Sequence, residues 1–275
     1  MKKVTAGLAG LAAAELAARG APAQQGIKIG MCDWSMGKRA NVEAVALARE
    51  IGLDGIQVSL GQLRDDPAVL KRYLDDGKKY NIKFPSLALG VLNSVPLATE
   101  PRAAVWVDDA IEVSPKMGAK CILLAFFGRG EIKMDRKEDV KRIVDVLKLL
   151  APRAEKNNVI LGLENTLSAE DNLRILDQVD HPYVQVYYDF KNSANRGRDV
   201  IAEVRKLGKE RICEVHLKNG RDYMEKITNV NWPAVAEVMK EIGYDGWYIL
   251  ETSSPSKNVV DDTKRNLEYV RKVFG

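Results

Sequence analysis

Short, almost continuous apolar runs alternate along the chain with longer stretches in which apolar residues recur every three or four positions. The short runs are IKIGMC (27–32), GIQVSL (55–60), KFPSLAL (83–89), CILLAFF (121–127), VILGLE (159–164), VQVYYDF (184–190), ICEVHL (212–217) and WYILET (247–252). Segments of this length rich in Val, Ile and Leu suit strands buried on both faces of a parallel sheet. Between them lie helical patterns. NVEAVALAREIG closes on Gly52, DDPAVLKRYLDDGKKYN opens on an Asp-Asp-Pro start signal, and TEPRAAVWVDDAIEVSPKMG ends at Gly118. DRKEDVKRIVDVLKLLAPRAEKNN is followed by SAEDNLRILDQV, in which Ser168 stands as N-cap with Asp171 three places on. DVIAEVRKLG, NWPAVAEVMKEIG and VVDDTKRNLEYVRKVF complete the set, and several helices finish on Gly as a C-cap should.

Eight strand–helix alternations in one continuous stretch predict an α/β protein, a closed (β/α)₈ TIM barrel in a single domain. The competing architecture is an open doubly wound sheet, which usually carries a phosphate-binding glycine loop after an early strand. Neither GxGxxG nor GxxxxGK[ST] occurs, and FGRGE at 127–131 lacks the spacing. No linker or low-complexity segment follows residue 26, so the barrel is placed at 26–275. The first 25 residues, MKKVTAGLAGLAAAELAARGAPAQQ, read differently: two lysines, an Ala/Leu-rich stretch, then a small-x-small pattern ending at Ala23. That layout predicts a secretory signal peptide over 1–25 and export to the periplasm or beyond. Glu15 and Arg19 interrupt its apolar part; an uncleaved helix on a cytoplasmic protein is the alternative. No stretch approaches the ~20 apolar residues of a membrane span, so no membrane insertion is expected.

Composition changes this picture little. The 275 residues are 46% hydrophobic and 29% charged, ordinary for a globular protein with a sizeable core. A net charge of +4, spread over helix faces, gives no nucleic-acid footprint. Cys32, Cys121 and Cys213 each sit inside an apolar run without a CxxC pair, and are expected to be buried free thiols.

The chemistry lies at the strand ends. In barrels of this kind the C-terminal ends of the strands carry the active site. Here the fifth strand ends in Glu164, the sixth in Asp189, the seventh in His216 and the eighth in Glu251. A lone histidine is more often a hydrogen-bonded core or rim residue, and a lone strand-end carboxylate can cap the next helix. Four metal-binding side chains on four consecutive strands are harder to assign to such roles, because buried carboxylates need partners. Three carboxylates and one imidazole make a hard site suited to one Mn²⁺, Mg²⁺ or Co²⁺ ion, with Zn²⁺ also compatible. Lys218 shares strand parity with His216, so it points toward the same site as an electrophile or hydroxyl donor.

In LGLEN, VYYDFKN, EVHLKN and YDGWYILET, occurring in this order at the ends of strands five to eight, the chain resembles the sugar phosphate isomerase/epimerase superfamily of xylose isomerase-like barrels. The resemblance spans roughly residues 27–273 and is nearest to the ketose 3-epimerase, hydroxypyruvate isomerase-like and inosose-processing branch. It implies that Glu164, Asp189, His216 and Glu251 bind one divalent metal ion, and that Glu164 and Glu251 are the catalytic pair that exchanges a substrate proton. The implied reaction is sugar isomerisation or epimerisation by proton transfer next to a carbonyl, through a metal-stabilised enediolate. It further implies a small-molecule carbohydrate substrate, admits a homo-oligomer, and suggests substrate contacts at Glu170 and Arg221. Glu170 could equally be a first-turn carboxylate favoured by the helix dipole. Trp34, after the first strand, could stack on a sugar, and Phe126 and Phe127 could form an apolar wall; ordinary packing explains each equally well.

Two departures matter. Ketose 3-epimerases often carry a histidine three places after the sixth-strand aspartate, where this chain has Asn192. His181 does not fill the gap, because it precedes the sixth strand and belongs to the opposite, structural face of the barrel. A three-zinc deoxyribonuclease of the same fold needs more histidines than the chain has. A metal-dependent lyase or dehydratase on a keto-sugar, oxidised glycoside or inosose is the main alternative, since proton abstraction beside a carbonyl also begins a β-elimination. A non-catalytic carbohydrate-binding barrel is the third reading.

Overall fold

The computed structural model describes residues 26–275; the predicted leader at 1–25 lies outside the described residues. Eight parallel strands close on one another in chain order, β1 pairing with β8. They are β1 (Lys28–Cys32), β2 (Gly55–Ser59), β3 (Ser86–Leu89), β4 (Cys121–Ala125), β5 (Ile160–Glu164), β6 (Val184–Asp189), β7 (Ile212–Leu217) and β8 (Trp247–Leu250). The eight predicted helices form as α1 (Glu43–Ile51), α2 (Pro67–Tyr80), α3 (Pro101–Met117), α4 (Lys137–Lys156), α5 (Ala169–Val179), α7 (Val200–Leu207), α8 (Trp232–Glu241) and α9 (Val259–Phe274). None is long and apolar enough to cross a membrane.

Local chemistry sets these boundaries. Asp66 accepts hydrogen bonds from the amides of Ala68 and Val69, with Pro67 in the first turn, where its missing N–H costs nothing. Ser168 accepts from the amide of Asp171 at 3.1 Å. Gly52 (φ 93°) and Gly118 (φ 76°) end α1 and α3 in the left-handed conformation. The third strand is shorter than its apolar run. Pro85 has no amide hydrogen for the ladder, so regular pairing starts at Ser86, with a lone bridge from Gly55 to Lys83 before it.

Among the described residues one α-helix was not predicted. α6 (Phe190–Asn195) has six residues, too few to show a 3.6-residue period. Two anchors make it form. Asp189 accepts from the amide of Asn192 at 2.8 Å as its N-cap. Phe190 is fully buried and meets the Trp232 ring edge-on at 6.0 Å, which ties α6 to α8.

The large core fills the layer between barrel and helices. A smaller one, with Cys32, Ala88, Cys121, Leu123, Tyr187 and Ile249, fills the barrel itself. All three cysteines are free thiols of this inner region; Cys32 and Cys121 are buried and Cys213 half-buried. The interior is tight. A Cβ on Gly162 of β5 would lie 2.7 Å from the Cys213 sulfur, so the inner thiols occupy the space a larger residue there would need.

Candidate active site

Strand register brings the four strand-end residues together. In the ladder Asp189 of β6 faces His216 of β7, which in turn faces Ile249 of β8. Glu164 closes β5, and Glu251 follows β8 with its amide still bonded to the Leu217 carbonyl at 2.9 Å. One ligand atom from each of Glu164, Asp189, His216 and Glu251 lies within 4.8 Å of all the others. His216 Nδ1 is 2.9 Å from Glu164 Oε1, 3.0 Å from Glu251 Oε2 and 3.9 Å from Asp189 Oδ2. Lys218 Nζ stands 2.7 Å from both Asp189 Oδ2 and Glu251 Oε2, and 3.8 Å from Glu164 Oε1. The Trp34 indole N–H donates to Glu251 Oε1 at 3.1 Å.

Charge is concentrated here in a buried place. Burial raises the Glu164 carboxyl above its ordinary value, against the pull of His216 and Lys218. Burial also opposes the charge of Glu251, yet His216 and Lys218 outweigh it and hold that carboxyl well below the usual range. For His216, burial disfavours the charged form, but the Cys32 sulfur and the carboxylates of Glu164 and Glu251 keep it well above an ordinary imidazole. Lys218 is likewise raised, against burial, by Asp189, Glu164 and Glu251.

The donor set fits a divalent cation. Three carboxylates exceed the two cationic side chains among them. Asp189 Oδ2 and Glu251 Oε2 are buried without an aligned hydrogen-bond partner, although Lys218 lies close to both. Buried oxygens left in this way are costly unless something positive meets them. Hard oxygen donors with one imidazole suit Mn²⁺, Mg²⁺ or Co²⁺.

Behind the cluster runs a buried polar chain that sequence reasoning missed. His216 Nε2 lies 3.0 Å from Gln57 Oε1 and 3.4 Å from the Cys32 sulfur. The Gln57 amide donates to Ser86 Oγ at 2.9 Å and to the Tyr187 hydroxyl at 3.0 Å. Ser86 Oγ donates to Glu214 Oε2 at 2.7 Å. Burial pushes Glu214 up to about 7, although Ser86 and Tyr187 bond to it. With its donors committed elsewhere, Gln57 offers His216 an acceptor, which places the Nε2 proton there and leaves Nδ1 toward the carboxylates. The available signal was a polar residue in mid-strand, GIQVS, at inward parity.

A cavity of about 350 Å³ opens onto the cluster, lined by Trp34, Ala125, Phe127, Glu164, Lys218 and Glu251 among others. Its size lies at the lower end of ligand pockets, ~300–1,000 Å³. Of the sequence candidates, Trp34, Lys218 and Phe127 reach it, while Phe126 is buried in the larger core. Asn192 lines it too, its Oδ1 lying 3.4 Å from Lys218 Nζ. Glu170 is not brought to the site. With Ser168 as N-cap, the first turn of α5 turns Glu170 outward, where it is exposed and paired with Arg174 at 2.7 Å and Lys206 at 3.2 Å. Arg221 is exposed in the loop after β7, outside the cavity lining. His181 lies before β6, 3.7 Å from Glu155 and edge-on to Tyr183, away from the cluster.

A closed eight-stranded barrel with a carboxylate–histidine cluster at its strand C-termini defines a class of barrel proteins with one catalytic face. Residues 45–273 match the family model described as xylose isomerase-like TIM barrel, and the chain belongs to that family. No functionally curated protein matches the sequence significantly. Among solved structures, D-psicose 3-epimerase from Clostridium cellulolyticum H10, with D-tagatose, is similar at a TM-score of 0.76 and 16% identity over 90% of this chain and 99% of that one. The 3-keto-D-glucoside 4-epimerase YcjR from E. coli gives 0.75 and 15% over 90% and 99%. An L-ribulose 3-epimerase gives 0.74 and 16% over 90% and 94%. At such identities the likeness establishes a shared fold.

Proposed function

We propose that the protein is a divalent-metal-dependent sugar isomerase or epimerase that moves a proton next to a carbonyl. The observation that carries this reading is the convergence of Glu164, Asp189, His216 and Glu251 to within 4.8 Å, with Glu164 and Glu251 lining a cavity. These four residues would hold the ion. When bound there, a divalent cation would polarise a ketose carbonyl and its neighbouring hydroxyl and steady the negative charge of an enediolate.

The remaining steps fall to the chain. Glu164 and Glu251 come from β5 and from the end of β8, so they reach the cavity from different sides of the barrel. One removes a proton from the substrate carbon and the other returns one, the combination that inverts a centre. Trp34 holds the Glu251 carboxylate in place through its indole N–H. Lys218 presents an ammonium to the cavity and donates to a substrate oxygen that gains charge. Trp34 and Phe127 give the sugar ring apolar surface.

Mn²⁺-loaded protein is expected to exchange solvent deuterium into a ketohexose or ketopentose at the carbon beside the carbonyl. Glu164→Gln should retain sugar binding and lose exchange by roughly 10²–10⁴-fold, the usual worth of a positioned acid or base. Wild type that binds no divalent ion, or that binds ion and sugar without any exchange, would remove the isomerase reading.

A further inference from the structure

A second space of about 320 Å³ adjoins the active-site cavity on the side of β2 and β3, and Arg39, Ser59, Ala88 and Gly90 line both. Beyond these shared residues it is walled by Leu60, Leu89, Val91, Arg64 and Trp106. Its surface is mostly apolar, with the Arg39 guanidinium shared with the first cavity and the Trp106 indole, over which the Arg102 guanidinium lies 5.9 Å from the ring centroid. Arg64 is engaged by Asp65 at 2.7 Å and Asp109 at 3.5 Å. Arg39 has no carboxylate within ion-pair distance among the described residues; it lies over the Trp34 ring, 5.5 Å from its centroid.

The loop that presents Arg39 is built in place. Asp33, fully buried after β1, accepts from the Ala40 amide at 2.8 Å, from the Ser59 amide at 2.8 Å and from the Ser59 hydroxyl at 2.8 Å. Those bonds pin residue 40 to the end of β2. Ala40 is held at φ 51°, a left-handed conformation that is unusual for alanine and persists only where the surroundings over-determine it. Across from it, Gly61 leaves no room for a Cβ, which would lie 2.5 Å from that of Ala40. Arg39 reaches Gly90, where a Cβ would meet Nη1 at 3.5 Å, an ordinary van der Waals contact. A buried carboxylate and a strained residue thus hold between two cavities a guanidinium that makes no direct ion pair, its charge felt by Asp33 at longer range.

We infer that this groove is a second sugar subsite, and that the substrate is a ketose carrying a glycosidically linked second ring. The inference rests on the sugar-isomerase reading of the first cavity and extends it to a substrate class. The ketose unit occupies the space beside Glu164 and Glu251. The linked ring passes Arg39 and lies on the apolar wall, with one face against the Trp106 indole and its hydroxyls toward the guanidinium. A sugar ring suits this wall because it has an apolar C–H face and a polar rim, and the groove offers partners to both.

The test is calorimetric titration of Mn²⁺-loaded wild type and Trp106→Ala with D-fructose and with glucosyl- or galactosyl-fructoses linked at different positions: turanose, lactulose, leucrose and isomaltulose. At least one disaccharide is expected to bind about ten-fold more tightly than fructose, a difference of ~1.4 kcal/mol. That advantage should vanish in Trp106→Ala while fructose affinity stays the same. Fructose binding with no tighter disaccharide, or an advantage untouched by Trp106→Ala, overturns the second subsite and leaves the first cavity's assignment standing. Wild type that binds none of these sugars overturns both.

Discussion

Gln57 shows how much the carboxylate–histidine cluster depends on a side chain that stands behind it. Its carbonyl oxygen faces His216 Nε2 and accepts from the Cys32 thiol at 3.3 Å, and its amide hydrogens are held by Ser86 and Tyr187, so its orientation is fixed by four partners. A histidine that ligates through Nδ1 must keep its other proton on Nε2, and the Gln57 oxygen holds it there. Gln57→Leu removes that acceptor and is expected to weaken Mn²⁺ binding about 10–100-fold, the range seen when the outer partner of a ligating histidine is lost. Gln57→Glu keeps an acceptor toward Nε2 and should recover part of the affinity. Electron paramagnetic resonance of free Mn²⁺ in a titration would measure both. Equal loss in the two variants would make Gln57 a packing residue. The four clustered residues were legible in the sequence because a barrel carries its chemistry at strand C-termini, and each stands at the end of an apolar run. Gln57 was not, since one polar residue within a strand has many ordinary explanations until its neighbours are known.

At the level of elements, strands and long helices were readable because burial imposes a period, whereas loops and short helices answer to partners far away in sequence. Strand β3 begins late because of Pro85, and α6 exists because Phe190 packs on Trp232, forty-odd positions downstream. Glu170 stayed open between substrate contact and first-turn carboxylate for a related reason: distance from Glu164 along the chain does not say which side of α5 it leaves from, and the structure shows the first-turn carboxylate. The start of α9 is another long-range construction. Asp262 accepts from Ser256 through its amide at 2.9 Å and its hydroxyl at 2.8 Å, from Ser254 at 2.5 Å and from Tyr223 at 2.8 Å. It thereby joins the loops after β7 and β8 to α9. Burial alone would raise its pKa, but these donors bring it down to about 2 from 3.8. A carboxyl with a depressed folded-state pKa contributes stability that is complete above the unfolded value, near pH 4, and disappears as pH falls through about 2. Asp262→Asn should therefore be less stable than wild type at pH 6, by on the order of 1 kcal/mol, or roughly 2–4 °C in Tm. The gap should close toward pH 2, as followed by thermal melts across pH 2–6. A gap of constant size would mean that the loss comes from packing and not from the charged form.

For the whole molecule, the site joins elements that are distant in the chain. The clustered residues come from β5, β6, β7 and the residue after β8, so an ion held there would link half of the barrel wall. The protein carries a net charge of +4, yet it gathers three carboxylates in this one place. Their mutual repulsion is met by His216 and Lys218, and a cation relieves it further. Anything that binds the folded chain and not the unfolded one stabilises it by mass action, about 2.7 kcal/mol when the free ion is a hundred times its Kd. For a domain of this size that corresponds to roughly 5–10 °C in Tm. Melts of chelated protein, with and without added Mn²⁺ at constant ionic strength, should show this rise. His216→Ala should show little of it, because the imidazole is the one nitrogen donor in the set. Asp262→Asn should keep the full rise despite its lower starting Tm, since its side chain ties loops outside the cluster. If Mn²⁺ raised the Tm of wild type and His216→Ala alike, the ion would be acting elsewhere on the protein. The four strand ends would then be held by Lys218 and hydrogen bonds alone.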